Sequence, residues 1–286
     1  MKSAIAAARL GLLLAAVATP AAAQTIYPLN RAQILVGADF DLKVEFPGAP
    51  ESADVKVTID GEDAGQALGK APEIIANEDD LPQIAYWIRG ARLATAGRHT
   101  VEARAGSAKA SVAWDAFATP EGRKAKNVIL FIGDGLSMAH RTAARILSKG
   151  IAESRYGASS LAIDNMPYMA LVSTAGTDSV ITNSANSMTA YTTGHKSCVN
   201  ALGVYCAKNL RALAHPKVET IAELAKRKLD LAVGVGTNTE IEDATPAGMV
   251  AHTRLRSDYD DIVRMFYKDQ PEVIMGGGAT PFLPKR

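Results

Sequence analysis

The hydrophobic and polar residues follow different patterns in the two halves of the chain. Between residues 24 and 120, apolar and polar residues alternate in five runs: FDLKVEF, ADVKVTIDG, QIAYWIRG, RHTVEARAG and KASVAWDAF. Turn-forming pairs separate these runs at 47–48, 60–61, 96–97 and 105–106. Alternation with period two predicts short strands, and about seven strands in this length indicate a small immunoglobulin-like β-sandwich.

From residue 121 onward, continuous apolar runs alternate with amphipathic segments. NVILFIG is predicted to be a strand buried on both faces of a sheet, and MALVST, DLAVGVGTNT and EVIMGGG continue the alternation. Helices are predicted at SMAHRTAARILSKG, SANSMTAYTTG, KVETIAELAKRKL and SDYDDIVRMFYKD. Residues 121–286 are therefore predicted to form a layered α/β domain with a mostly parallel sheet. The polar segment 118–127 is the expected linker.

The first 23 residues have the pattern of a targeting segment. Lys2 and Arg9 precede LGLLLAAVATPAAAQ, an apolar run that is too short to span a bilayer and that ends in an Ala-x-Ala site before Gln24. This pattern predicts a cleaved secretory signal; the alternatives are a membrane anchor and a buried helix. No later stretch is apolar enough to predict a membrane span. We therefore expect a periplasmic or extracellular protein.

Composition narrows the function classes. The chain of 286 residues is 48% hydrophobic and 21% charged, with a net charge of +1. Without a basic block, nucleic-acid binding has no support. Cys198 and Cys206 are close in sequence and can pair in an oxidising compartment, and two buried free thiols are the alternative.

Two polar positions are candidates for chemistry. Asp134 directly follows NVILFIG, where the end of a buried strand would present a ligand, and neighbouring glycines allow close approach. Its carboxylate can hold a divalent cation; the alternatives are a helix cap and a tight turn. Ser184 stands at the amino end of a predicted helix, whose free N–H groups suit a phosphate. The alternative is that Asn183 or Ser184 is only the N-cap.

A third group of candidates lies in EDATPAGMVAHTRLR, residues 242–256. Asp243 and Thr245 offer oxygen ligands two residues apart, which suits a loop-bound Mg²⁺. Arg256 carries a planar guanidinium that can contact two phosphate oxygens. The alternatives are an acidic helix cap and a solvated arginine. His252 is expected to be a structural histidine.

Together and in this order, these segments resemble the alkaline phosphatase family. The matching runs are NVILFIGDG, TNSANSMTAYTTGHKS, NALGV, EIEDATPAGMVAHTRLR and EVIMGGG. The resemblance covers about residues 125–286, the first part of the family's catalytic domain, and leaves residues 24–120 outside it. It implies an alkaline-phosphatase-like α/β fold, incomplete in this chain, preceded by the β-sandwich.

The resemblance also selects one serine from GTDSVITNSANSMTAYTTGHKS, residues 176–197. Ser184 opens a predicted helix ten residues before Gly194, the glycine of a Thr-Gly pair. The family's nucleophilic serine stands in the same relation, so the resemblance implies Ser184 rather than Ser179. The family commonly has an aspartate just before this serine, which helps to orient the phosphate-binding arginine. Asn183 takes that place here, so the contact is expected to lose its charge.

Carried over residue by residue, the resemblance implies roles for five side chains. Asp134 resembles the carboxylate that bridges a zinc and a magnesium site, and Ser184 resembles the nucleophile whose oxygen meets one zinc. Asp243 and Thr245 resemble magnesium ligands, and Arg256 resembles the phosphate-binding arginine. The implied reaction is hydrolysis of small phosphomonoesters through a phosphoserine, with a pair of Zn²⁺ ions and one Mg²⁺. Whether the full-length protein is a homodimer stays open.

Several of the family's metal ligands have no counterpart here, because they follow the EVIMGGG run and this chain ends eight residues after Gly278. The five histidines do not fall on family ligand positions: His99, His140, His195, His215 and His252. A zinc site needs three or four protein ligands. We therefore expect the amino-terminal part of a longer enzyme, inactive by itself and poorly soluble because of an unpaired sheet edge.

The leading hypothesis is an exported, metal-dependent phosphomonoesterase. A phosphodiesterase or a sulfatase on the same scaffold is the nearer alternative. Related sulfatases use a modified Cys or Ser and related diesterases often a Thr, so Ser184 with Arg256 favours the monoesterase. An alternative from a different class is a non-catalytic exported binding protein whose function lies in residues 24–120.

Overall fold

The computed structural model describes residues 24–49, 54–120, 122, 125–151 and 159–283. The predicted signal sequence, residues 1–23, and part of the predicted linker at 118–127 lie outside the described residues. Within the described part, the helices are all too short or too polar to cross a membrane.

The first region, up to residue 117, is built mainly of strands. They are β1 (Thr25–Tyr27), β2 (Gln33–Leu35), β3 (Phe40–Pro47), β4 (Val55–Ile59), β5 (Glu62–Asp63), β6 (Glu73–Ala76), β7 (Gln83–Ala91), β8 (Gly97–Ala105) and β9 (Ala108–Phe117), with a short helix α1 (Ala64–Ala67) and a 3-10 turn at Glu78–Asp80. The five alternating runs correspond to β3, β4, β7, β8 and β9, so the strands predicted from period two are confirmed.

These strands form two sheets that share one apolar core. One sheet has the order β1-β3-β7-β6 and the other has the order β2-β9-β8-β4-β5. Neighbouring strands are antiparallel except for the pair β2 and β9. The shared core includes Leu42, Val44, Ile88, Val101 and Trp114. Two sheets that bury their inner faces against each other form a β-sandwich.

The second region alternates helices with loops and, among the described residues, carries one small parallel sheet. Its elements are α2 (Met138–Lys149), α3 (Ser184–Thr193), α4 (Ile221–Leu229), β10 (Gly234–Glu240), α5 (Ala244–Ala247), α6 (Tyr259–Asp269) and β11 (Val273–Gly277), with 3-10 turns at Ala162–Asn165 and Thr280–Phe282. The four predicted helices are confirmed as α2, α3, α4 and α6. The two strands β10 and β11 pair in parallel.

The prediction of a layered parallel sheet is wrong for two of its expected strands. The runs NVILFIG and MALVST form no strand, although both lie within the described residues, and Val128 and Phe131 are each 86% exposed. A strand inside a parallel sheet needs a hydrogen-bonded neighbour and covered faces. Among the described residues, β10 and β11 pair only with each other, so neither run has a strand beside it.

Main-chain hydrogen bonds join the two regions. Residues 217–219 run antiparallel to the start of β3. The Asp41 N–H donates to the Lys217 carbonyl at 2.9 Å. The Glu219 N–H donates to the Asp39 carbonyl, also at 2.9 Å. The second region is therefore docked on the sandwich through backbone pairing as well as through side chains.

A buried charged cluster, made of Lys43, Glu45 and Glu78, lies at the same boundary. The side chains of Lys43 and Glu45 are fully buried, and that of Glu78 is 2% exposed. Lys43 Nζ lies 3.2 Å from Glu45 and 2.7 Å from Glu78. From the second region, the Asn209 side chain accepts a hydrogen bond from Lys43, and the Lys208 N–H donates to Glu45 at 2.9 Å. The second region thus completes the cluster.

The two cysteines, Cys198 and Cys206, form a disulfide, so the predicted pairing is confirmed. The Tyr27 hydroxyl in β1 donates to the Cys206 carbonyl at 3.2 Å, which ties this bridge to the sandwich. The disulfide therefore stiffens a loop that contacts both regions.

Thiol titration of the unfolded, unreduced chain is expected to find no reactive thiol, and two after reduction. Replacing Cys206 with Ser should lower the free energy of unfolding by about 2–3 kcal/mol, because the bridge closes a short loop of the unfolded chain. Urea unfolding of the oxidised chain and of Cys206→Ser measures this difference. Two thiols before reduction would contradict the assignment.

Candidate functional site

Helix α3 begins in a way that leaves the Ser184 hydroxyl unused by capping. Asn183 is the N-cap, and its side-chain oxygen accepts the Ala185 N–H at 3.1 Å. The Asn186 side-chain oxygen accepts the Asn183 N–H at 2.9 Å, which completes a capping box. Gly194 ends the helix in the left-handed conformation, at φ 76°. Because Asn183 satisfies the helix start, Ser184 is available for another partner.

That partner is the carboxylate of Asp134. Ser184 Oγ donates to Asp134 Oδ2 at 2.8 Å, and Thr245 Oγ1 donates to the same oxygen at 2.8 Å. Ser184 and Thr245 are half-buried, whereas Asp134 is exposed in the loop before α2. We call these three side chains the oxygen cluster. Three separate parts of the chain thus bring two hydroxyls and one carboxylate to a single point at the surface.

Asp243 and Arg256, the other two predicted site residues, form an ion pair. Asp243 occupies the N-cap position of α5, but its side chain caps nothing. It instead accepts a hydrogen bond from Arg256 Nη2 at 2.5 Å, with 28% of the Asp243 side chain and 27% of the Arg256 side chain exposed. A guanidinium that contacts one carboxylate oxygen keeps further N–H donors for another anion.

The main chain of Arg256 is linked to the cap of α3 through Asn200. The Arg256 N–H donates to the Asn200 carbonyl at 2.8 Å, and the Asn183 side chain donates to the Asn200 side-chain oxygen at 2.6 Å. Asn183 therefore contacts Asn200, and the charged partner of Arg256 is Asp243. Asn200 begins the matching run NALGV, but nothing in its local sequence pattern predicts this contact.

The neighbouring serines have other partners. Ser179 Oγ accepts the Ile181 N–H at 3.1 Å, and Ser187 Oγ shares a 2.7 Å hydrogen bond with Thr182. Of the serines between residues 176 and 197, only Ser184 has a hydrogen bond to Asp134 among the described contacts. The geometry thus distinguishes Ser184 from the other candidates.

Among the described contacts, none of the five histidines is hydrogen-bonded to the oxygen cluster. Each has a different partner: Asp60 for His99, Ser137 for His140, Tyr205 for His195, the Ala207 N–H for His215 and Glu223 for His252. Burial lowers the pKa of His195 and of His215 to about 4. Within the described residues, no three His, Cys, Asp or Glu side chains gather as a metal-binding group.

The donors present fit part of a magnesium site and do not fit a zinc site. Mg²⁺ prefers oxygen ligands, and Asp134 and Thr245 place a carboxylate and a hydroxyl together, with Asp243 two residues before Thr245. A zinc site takes three or four protein ligands, commonly nitrogen or sulfur. The described residues bring no such set to the oxygen cluster.

A serine hydroxyl, a carboxylate and a guanidinium in one region can serve a hydrolase that acts on an anionic ester. Residues 125–286, which contain the oxygen cluster and the ion pair, match the sequence model of the alkaline phosphatase family. This match covers more than half of the chain, and the chain belongs to the alkaline phosphatase family.

Similar proteins agree with this assignment. Over 180 residues the chain is 35% identical to the tissue-nonspecific alkaline phosphatase of Gallus gallus, with 56% of this chain and 34% of that protein covered. It is 32% identical over 180 residues to alkaline phosphatase H of Pseudomonas aeruginosa (strain UCBPP-PA14), with 56% and 36% covered. The chain thus spans about a third of the length of these relatives.

Among solved structures, a cold-active alkaline phosphatase from the psychrophile Shewanella sp. is similar, with 27% identity and a TM-score of 0.46. The superposition covers 53% of this chain and 36% of that one. The family assignment rests on the sequence match alone.

Proposed function

We propose that the chain is part of an enzyme that hydrolyses phosphomonoesters, with Ser184 as the nucleophile. The observation that carries the proposal is the hydrogen bond from the Ser184 hydroxyl to Asp134 at the start of α3. Membership of the alkaline phosphatase family supports it. Small phosphomonoesters are the proposed substrates, because a serine and an arginine suit attack on one anionic phosphoryl group.

The proposed reaction has two displacements at phosphorus. In the first, the Ser184 oxygen forms a bond to phosphorus, the ester P–O bond breaks, and the alcohol leaves with a proton. In the second, a water oxygen bonds to phosphorus and the Ser184 oxygen departs, which releases inorganic phosphate. Asp134 orients the Ser184 hydroxyl before attack, and the positive end of α3 favours the negative phosphoryl group.

Arg256 is proposed to bind two phosphate oxygens through its guanidinium. In the structure it contacts Asp243, so a phosphate must share or replace that carboxylate. Loss of the Asp243 contact would free this carboxylate for a cation. The ion pair is thus proposed to separate when substrate and cation bind together.

For Mg²⁺ we propose Asp134, Asp243 and Thr245 as ligands, and Ser184 and Asp134 are proposed to face zinc. When bound, the metals would neutralise phosphate charge and favour the ionised forms of serine and water. The described residues by themselves supply too few ligands to complete a zinc site.

We further propose that residues 24–120 form an immunoglobulin-like domain and that residues 121–286 form part of the catalytic domain. Export to the periplasm or beyond is proposed from the pattern of residues 1–23, and the disulfide supports it. The sandwich is hydrogen-bonded to the second region through its main chain. This contact disfavours the alternative in which residues 24–120 act as an independent binding module.

The proposed substrate class is tested in a protein extended to the full length of the relatives, hereafter the full-length protein. We expect kcat/KM for p-nitrophenyl phosphate to exceed that for bis-p-nitrophenyl phosphate and p-nitrophenyl sulfate by at least about 100-fold, because cationic groups favour the doubly charged monoester. Initial rates with and without added Zn²⁺ and Mg²⁺ measure this. Faster hydrolysis of the sulfate or the diester would favour the alternative enzymes, and no hydrolysis would favour a binding protein.

A further inference from the structure

His252 lies four residues before Arg256, outside the oxygen cluster and the ion pair. The residue is buried, with 8% of its surface exposed. Its Nδ1 lies 2.8 Å from the Gly203 carbonyl oxygen, and its Nε2 lies 2.9 and 3.0 Å from the two carboxylate oxygens of Glu223. Both ring nitrogens therefore face hydrogen-bond acceptors.

These acceptors determine which protons the ring carries. A carbonyl oxygen has no hydrogen to donate, so Nδ1 of His252 must carry a proton. Glu223 Oε2 also accepts the Thr220 N–H at 2.7 Å. Burial raises the pKa of Glu223, but the charge of His252 and the hydrogen bonds from His252 and Thr220 lower it below its usual value. This favours the ionised carboxylate and therefore a proton on Nε2. A ring protonated at both nitrogens is an imidazolium. His252 and the half-buried Glu223 are thus placed to form an ion pair, with Nε2 2.9 Å from the carboxylate.

The charges around this ring come from several elements. Burial alone would lower the pKa of His252, but the charge of Glu223 on α4 and the two hydrogen bonds raise that pKa above its ordinary value. Lys217, at the sandwich boundary, acts in the lowering direction. At the end of α6, burial and the charge of Glu223 raise the pKa of Asp269 to about 6, with Lys268 acting against them.

The segment that carries Arg256 is paired with residues 199–203. Leu202 and Thr253 exchange main-chain hydrogen bonds of 2.8 and 2.9 Å. At one end of this ladder, the Arg256 N–H donates to the Asn200 carbonyl at 2.8 Å. The bond from the imidazolium to the backbone closes the other end.

The same run of residues, 199–203, is fixed to helix α3. Thr189 Oγ1 lies 3.0 Å from the Ala201 carbonyl and accepts the Gly203 N–H at 3.0 Å. Gly203 has φ 59°, and a Cβ at this position would lie 2.6 Å from His252 Nδ1. A glycine is therefore required for the close approach of the ring. Residues 199–203 thus lie between the Ser184 helix and the Arg256 segment and are hydrogen-bonded to both.

We propose that His252 is a positioning residue whose imidazolium joins the Gly203 carbonyl to Glu223 and so sets the spacing between Arg256 and the Ser184 helix. The proposal rests on the proposed phosphate-binding role of Arg256. When the ring loses a proton, the remaining proton stays on Nε2, because the Glu223 carboxylate is a stronger acceptor than a carbonyl. The bond from Nδ1 to the Gly203 carbonyl is then lost, which releases that end of the ladder. Phosphate binding is therefore expected to weaken as pH rises through the pKa of the ring.

The first test uses the 286-residue chain and needs no activity. Long-range ¹H–¹⁵N spectra of ¹⁵N-histidine-labelled chain report the charge of each ring, and His252→Gln assigns the His252 signals. We expect an imidazolium at His252 at pH 7 and neutral rings at His195 and His215. In a second sample, labelled with ¹⁵N-arginine, the Arg256 backbone amide should shift with the same midpoint as the His252 ring. A neutral His252 at pH 7, or an amide that does not follow the ring, would overturn the proposal.

The second test measures KM and kcat for p-nitrophenyl phosphate against pH in the full-length protein. Glu223→Gln keeps an acceptor for the His252 ring but removes the negative charge. The rise in KM with pH should therefore begin about one pH unit lower than in the unsubstituted protein. The kcat at neutral pH should stay within about threefold of the unsubstituted value. His252→Gln should raise KM about tenfold, and His195→Gln is the buried-histidine control. An unchanged midpoint in Glu223→Gln would contradict the positioning role.

The two tests separate the positioning role from the proposed function. If the full-length protein hydrolyses no phosphomonoester, the proposed function fails. The spectra of the 286-residue chain still decide whether His252 is charged and whether its charge moves the Arg256 segment.

Discussion

Replacing Ser184 with Ala in the full-length protein is expected to lower kcat for p-nitrophenyl phosphate by at least about 1,000-fold, because no other hydroxyl takes its place as nucleophile. The fold should survive, since Ser184 is half-buried at the first position of α3 and Asn183 keeps the helix cap. Steady-state rates measure the loss. Acid quenching during turnover, followed by mass spectrometry, should locate a phosphate on Ser184 and none in the alanine variant.

Two neighbouring serines provide matched controls for this prediction. Ser179→Ala and Ser187→Ala each remove a hydroxyl from the same stretch of sequence, but neither hydroxyl contacts Asp134. Both variants should retain kcat within about threefold. If activity survives Ser184→Ala and disappears in Ser179→Ala, the nucleophile is Ser179 and not Ser184.

Replacing Lys43 with Met is expected to lower the free energy of unfolding by about 3–5 kcal/mol. The substitution removes the positive charge from the buried charged cluster and leaves Glu45 and Glu78 without the Lys43 counter-charge. It also removes the hydrogen bond to Asn209 that joins the two regions. Urea unfolding of the 286-residue chain, followed by fluorescence, measures the change.

Lys109→Met is the surface control for this experiment. Lys109 lies 2.7 Å from Glu102, but its side chain is 47% exposed, so its loss should cost no more than about 0.5 kcal/mol. Adding Glu45→Gln and Glu78→Gln to Lys43→Met should recover at least half of the lost stability, because neutral side chains need no buried counter-charge. Equal losses in Lys43→Met and Lys109→Met would show that the cluster does not stabilise the fold.

Elements that depend on local patterns could be predicted from the sequence. The alternating run at β3 forms a strand because one face of it meets an apolar core, and α2 begins at Ser137 and ends at Gly150 because these residues satisfy the helix ends. The run NVILFIG failed as a prediction because an apolar composition does not by itself supply the neighbouring strand that a sheet requires.

Only part of the candidate site could be predicted from the sequence. The resemblance implied roles for Asp134, Ser184 and Thr245. The structure brings these side chains together, although Ser184 is 50 residues and Thr245 is 111 residues from Asp134 along the chain. The pairing of Arg256 with Asp243 could not be predicted, because each was assigned to a different ligand. The burial of Lys43 could not be predicted, because a lysine within an alternating strand normally indicates the face that is exposed to solvent.

During synthesis, Lys43 leaves the ribosome well before Asn209, which lies 166 residues further along the chain. Because domains generally fold in the order in which they are made, the sandwich forms while its later partner is still missing. In that interval water can solvate the ammonium group, and a hydrated charge discourages association with other unfinished chains. We therefore expect the Lys43 ammonium group, buried in the finished protein, to limit association of partly folded chains until residues 208–211 dock on the sandwich.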